Sequence, residues 1–160
     1  MCRNFLRQAD FLVLATLWLT GCSGASRPDW PAPVACDGTV ELNGKPLTNA
    51  QVVFIPEAGT VGPGGAAMTD DSGYYSVLST GADRQPAPGL IPGKYKVIFS
   101  RMVLPDGNVW VPDPDVSEGP ATRGAREELP MQYSMAMNSK FIVDVQDGGP
   151  SLDFTLKKKR

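Results

Sequence analysis

The stretch that decides the fold is "GTVELNGKPLTNAQVVFIP", residues 38–56. With "CD" in front of it, its first part alternates apolar and polar residues up to Leu42. That is the period of a strand with one wet face. "NGKP", residues 43–46, is turn chemistry. "AQVVFIP" follows, a β-branched and aromatic run ended by Pro56. A strand, a turn and a second strand are expected here.

The same grammar continues downstream. A loop containing "GPGG" leads to "AAMT", and "DDSG", residues 70–73, turns the chain into "YYSVLS". "PGKYKVIFSRMVL" puts Tyr95, Val97 and Phe99 on one face and Lys94 and Lys96 on the other. "PDGN", residues 105–108, is a turn after which "VWV" would run back along the preceding strand. "KFIVDV" sets Phe141, Val143 and Val145 against Lys140, Ile142 and Asp144, and "SLDFTL" alternates Leu152, Phe154 and Leu156. No helical period of ten residues or more occurs within this body, and Pro and Gly punctuate nearly every connection. The pattern predicts an all-β domain over residues 35–160: a seven-stranded antiparallel Greek-key β-sandwich, with a small barrel as the competing arrangement. Residues 113–128, rich in Pro, Gly and charge, have no alternating pattern and are expected to form a mobile loop.

The three motifs "GTVELNGKPLTNAQVVFIP", "AAMTDDSGYYSV" and "PGKYKVIFS", in this order, resemble the carboxypeptidase regulatory-like, transthyretin-like group of β-sandwich domains. Short bacterial lipoproteins of that group are the most similar. The resemblance runs over about residues 36–156 and takes in "ELPMQYSMAMNSKFIVDVQDGGPSLDFTL". It implies a transthyretin-like sandwich used as a structural or adhesive module.

The amino-terminal end addresses the chain. Arg3 and Arg7 precede "FLVLATLWL", residues 11–19, with Asp10 opposing the positive start. Nine apolar residues are too few for a membrane-spanning helix, which needs about 20. The layout is that of a secretory signal over residues 1–21. Leu19-Thr20-Gly21-Cys22 resembles the bacterial lipobox, which implies thioether lipidation of Cys22 and cleavage before it. The competing reading is a plain signal peptide or an uncleaved anchor. Two or more acyl chains give stable anchoring where one does not. Ser23, in place of the aspartate that resembles an inner-membrane retention signal, favours the outer membrane. Residues 22–34, "CSGASRPDWPAPV", have tether composition, with Trp30 able to touch headgroups. Loss of the leader takes two basic residues and one acidic one and moves the net charge from -2 to -3, which argues against nucleic acid as a partner.

Candidate chemistry is sparse. There is no histidine, which removes the commonest general base and metal ligand. It also departs from hydroxyisourate hydrolase, the enzyme that the transthyretin resemblance brings to mind. No enzyme activity, cofactor or metal is expected. Asp70, Asp71 and Ser72 suggest either calcium or an ordinary turn, and their spacing favours the turn. Met131, Met135 and Met137 suggest either Cu(I) or adaptable packing. Cys36, left without an intramolecular partner once Cys2 and Cys22 are accounted for, reads as a small buried hydrophobe. "KKKR", residues 157–160, reads as a solvated end or a contact with an anionic surface. Trp110, Tyr74 and Tyr75 are the candidate ligand platform for sugar or peptide, set against burial in the core. The function expected is therefore a lipid-anchored, non-enzymatic envelope module. It would meet the membrane through its lipid and an envelope protein through its domain, with glycan or ligand binding as the alternative.

Overall fold

The computed structural model describes residues 29–113, 115 and 117–158. Cys22, the leader and most of the tether lie outside the described residues. The described chain is all-β with antiparallel sheets; its one α-helix is a single turn, α1, Met131–Ser134.

Strand β1, Asp37–Leu42, turns through Asn43 and Gly44, both at positive φ (53° and 76°), into β2, Lys45–Pro46. Two left-handed residues match the twist of a tight hairpin, which is why Asn-Gly stands there. Strand β3, Gln51–Pro56, then leaves for the other sheet, where it pairs with β4, Gly65–Met68. The run "YYSVLS" is divided between both sheets. Its first part, β5, Tyr74–Ser76, pairs with β1, and its second, β6, Leu78–Thr80, pairs with β4 and with β7, Pro86–Pro88. Val77, fully buried, is the crossing point, and its N–H donates to the Cys36 carbonyl.

Strand β8, Gly93–Ser100, is the spine of the larger sheet. It continues into β9, Met102–Val103, which pairs with β10, Arg126–Glu127. Strand β11, Ile142–Val145, pairs with β8, and β12, Phe154–Leu156, pairs with β1. The larger sheet has the order β11-β8-β3-β4-β6-β7; the smaller is β12-β1-β2, with β5 also on β1. Among the described residues every strand pairing is antiparallel except β1 with β12, which is parallel. The expected all-antiparallel arrangement thus yields at the seam between the first and last strands.

That seam is tightly closed. Leu152 N–H donates to the Asp37 carbonyl at 2.8 Å, and the Tyr75 hydroxyl donates to the Leu152 carbonyl at 2.6 Å. A Cβ on Gly38 would lie 2.1 Å from that same carbonyl oxygen, so only glycine permits the approach. The Thr39 N–H and hydroxyl both donate to one Asp153 oxygen at 2.8 Å, and these bonds hold the Asp153 carboxyl below its usual value.

Both sheets send side chains into one core. Val52, Phe54, Val97, Phe99 and Val145 enter from the larger sheet and Val40, Tyr75, Phe154 and Leu156 from the smaller. The faces expected from period two hold: Tyr95, Val97, Phe99, Val145, Leu152, Phe154 and Leu156 are buried, and Phe141 and Val143 pack against them. Phe154 sits among three rings, 5.1 Å from Phe99, 5.5 Å from Phe141 and 6.5 Å from Tyr75 between centroids. Cys36 is buried, and burial raises its thiol pKa, in keeping with a packing role. Val34, the last tether residue, exchanges two backbone hydrogen bonds with Leu90.

Truncating Phe154 to Ala removes the ring that joins the two sheets and leaves a cavity. A loss of about 3–5 kcal/mol is expected, in the range of large aromatic deletions. Thermal or urea unfolding of Phe154→Ala checks it; an unchanged midpoint would contradict the placement of this ring.

Candidate functional site

Trp110, Tyr74 and Tyr75 are not brought together. Tyr75 is 1% exposed, faces the core, and spends its hydroxyl on the Leu152 carbonyl; burial pushes its pKa up. It is a core residue and leaves the candidate platform. Tyr74 is 42% exposed and sits opposite Thr39 on the outer face of the smaller sheet. Trp110 lies on the outer side of the other sheet, where it lines a groove of about 300 Å³ with Asn49, Gln51, Met68, Ser100 and Met102.

The groove is a product of register. Gln51 stands directly opposite Met68 on β4 and Ser100 on β8. Their neighbours Val52, Ala67 and Phe99 are buried, so alternation sends Gln51, Met68 and Ser100 outward in one row. Trp110 comes over this row on a ribbon that folds back after β9. Residues 105–108 make the turn, with Gly107 at φ 89° and the Asp106 carboxylate accepting from Asn108 N–H at 2.9 Å and from its side-chain amide at 3.0 Å. The Asn108 backbone bond is the first cause of a lowered Asp106 pKa. Val109 then bridges Val103, and Trp110 N–H donates to the Met102 carbonyl at 2.8 Å.

Glu127 ties β10, the strand paired with β9, to the end of β8. One carboxylate oxygen accepts from the Ser100 hydroxyl at 2.6 Å; the other accepts from Arg101 N–H at 3.0 Å and Leu129 N–H at 2.9 Å. Glu128 adds an ion pair to Arg101 at 3.2 Å and one to Lys158 at 3.7 Å. The expectation of a mobile loop over residues 113–128 is therefore corrected at its carboxy-terminal end. Arg126 and Glu127 form a strand, and Ala125 and Leu129 are buried beside it. Glu127 and the row Gln51–Met68–Ser100 were absent from the sequence reading.

The remaining candidates divide plainly. One Asp70 oxygen accepts from Ser72 N–H (2.8 Å), the Ser72 hydroxyl (2.7 Å) and Tyr74 N–H (3.0 Å). The Ser72 hydroxyl is the main cause of its lowered pKa. This is a turn held by its own aspartate. Met131 and Met135 lie one helical turn apart, joined by a backbone hydrogen bond, and with Met137 are exposed rather than packed. The buried Tyr133 between them fixes the turn by bonding both backbone groups of Lys157 at 3.0 Å. Lys158 exchanges hydrogen bonds with Asn43, so the basic end is fastened where it begins. Among the described residues no cluster of His, Cys, Asp or Glu could hold a metal ion, and no helix is long and apolar enough to cross a membrane.

Chemically, the groove offers an indole and two thioethers beside two side-chain amides and a hydroxyl. That combination suits stacking of a flat or ring-shaped ligand with polar contacts at its rim.

The chain matches no family model and no curated protein. Among solved structures it is similar to a 9R-lipoxygenase from Cyanothece PCC8801, at 17% identity over 86% of this chain and 18% of that one. The TM-score of 0.34 is too low to carry an argument about fold or activity.

Glu127→Ala should release β10 from the end of β8. In the wild type, trypsin is expected to cut first after Arg123, which lies in an exposed turn, and later after Arg126 and Arg101, which are held by strand pairing and by the Glu128 ion pair. In the variant, cleavage after Arg126 should become as early as after Arg123. Timed digestion read by mass spectrometry checks this; an unchanged order would show that Glu127 is not the latch.

Proposed function

We propose that the chain is a lipid-anchored, non-enzymatic cell-envelope module. Cys22 carries the lipid, residues 22–34 serve as the tether, and the β-domain presents a contact surface to an envelope partner on the outer membrane. The architecture supports our reading of the domain as a transthyretin-like, seven-stranded Greek-key sandwich. Counting β5 and β6 as one continuous stretch, the principal runs are β1, β3, β4, β5–β6, β8, β11 and β12. The observation that carries the contact role is the folded-back ribbon, held by Val109 on Val103 and by Trp110 N–H on the Met102 carbonyl, that brings Trp110 to the groove with Met68, Gln51 and Ser100 on an outer sheet face. A half-buried indole framed by polar side chains in a groove is the kind of anchor that binding sites use.

A second reading, a carbohydrate-binding module, is favoured by the same groove. Asn49, Gln51 and Ser100 around an indole supply the amide and hydroxyl partners that sugar rings need beside a stacking face.

Two experiments test these readings. Cys22→Ala should move the protein from the membrane to the soluble fraction on cell fractionation; equal partitioning of variant and wild type would remove the anchor. Trp110→Ala should abolish binding on a glycan array, or recovery of an envelope partner by pull-down, with circular dichroism confirming that the variant remains folded. Loss on the array supports the carbohydrate reading, and loss in the pull-down supports the protein-contact reading. Full retention in both would end the role of the groove.

A further inference from the structure

The two edges of the larger sheet are built differently. One edge is β7, where Pro86 and Pro88 lack the amide donors that another strand would need. The other is β11, which among the described residues pairs only with β8. Val97 N–H donates to the Phe141 carbonyl at 2.9 Å, so Phe141 faces β8. Antiparallel ladders alternate, and the register pairs Ile142 with Lys96 and Asp144 with Lys94. Val143 and Val145 therefore bond to β8, while Ile142 and Asp144 turn their N–H and C=O groups to the open edge.

The side chains on this edge are self-complementary. Lys140, Ile142 and Asp144 point outward, and Ile142 is 59% exposed. If two copies of the edge run antiparallel about Ile142, each Lys140 falls opposite the other copy's Asp144 and the two Ile142 side chains meet. On the inner face the same register sets Phe141 opposite Val143, both only partly buried within one copy. Centring the pair on Val143 would instead put Ile142 against Asp144. Charge and apolar matching thus select one register on both faces.

We propose that the open edge of β11 pairs with the same edge of a second copy of this chain, antiparallel and centred on Ile142. The two six-stranded sheets then become one sheet of twice the width. The contact is isologous, so it closes at the dimer, and the Pro86 and Pro88 edges at both ends prevent further growth.

The test uses the full-length chain in mild detergent and sedimentation velocity over a range of concentrations. Wild type should dimerise. Lys140→Asp and Asp144→Lys each place like charges opposite one another twice per dimer, and each should weaken the dimer about tenfold or more. The double variant K140D/D144K restores both pairs and should recover the wild-type constant. Circular dichroism confirms that the single variants remain folded, as expected for exposed positions. A second measurement does not depend on the charge variants. Paired residues in this register have Cα atoms about 5.5 Å apart, within disulfide range. Ile142→Cys should therefore crosslink on mild oxidation, whereas wild type, with its native cysteines, and Gln51→Cys, in the groove, should not. A wild type that stays monomeric, a double variant no tighter than the single ones, or an Ile142→Cys chain that fails to crosslink would overturn the proposal.

Discussion

Two sheets can close over one core only if the chain passes between them, and it does so without a break at Val77. The residues before it belong to the smaller sheet and those after it to the larger. Val77 is bonded on both sides, donating to Cys36 and accepting from Gly89 N–H. Neither sheet can shift along the other without tearing this stretch. The parity that buries Tyr75 and exposes Tyr74 runs straight into that crossing, while the row Gln51, Met68 and Ser100 is set by the ladders of the larger sheet itself.

Much of this is written locally. Alternation within one strand is a short-range property, so the inward faces of β8, β11 and β12 could be read from spacing alone. The fate of Tyr75 was also legible in principle: it shares parity with Val77 and Ser79, and all three are buried. Reading the two tyrosines as a pair overlooked the fact that neighbours in a strand face opposite ways. What spacing cannot carry is partnership between distant strands. The parallel match of β1 with β12 joins residues over a hundred positions apart, as does the Thr39–Asp153 bond across 114. The latch on Glu127 gathers donors from Ser100, Arg101 and Leu129, a set with no pattern in sequence.

The groove and the open edge ask different things of the fold. The groove needs a frame that does not breathe, and Glu127 and Glu128 supply it by tying β10 to the end of β8. The β11 edge needs only exposed backbone groups and matching side chains, which the last antiparallel strand of the larger sheet provides. Because the two features lie on separate strands and use separate residues, a change at one need not disturb the other.

The seam between β1 and β12 also sets an order in time. Strand β1 has one of its neighbours more than a hundred residues later, so the smaller sheet stays incomplete until β12 has been made and released. Contacts of such long separation slow folding and leave the intermediate with an unsatisfied edge. Under the proposed lipoprotein reading, in which the chain crosses a membrane unfolded, the delay is useful. Premature closure would hinder such passage, whereas a sheet that waits for β12 stays threadable until that strand is through.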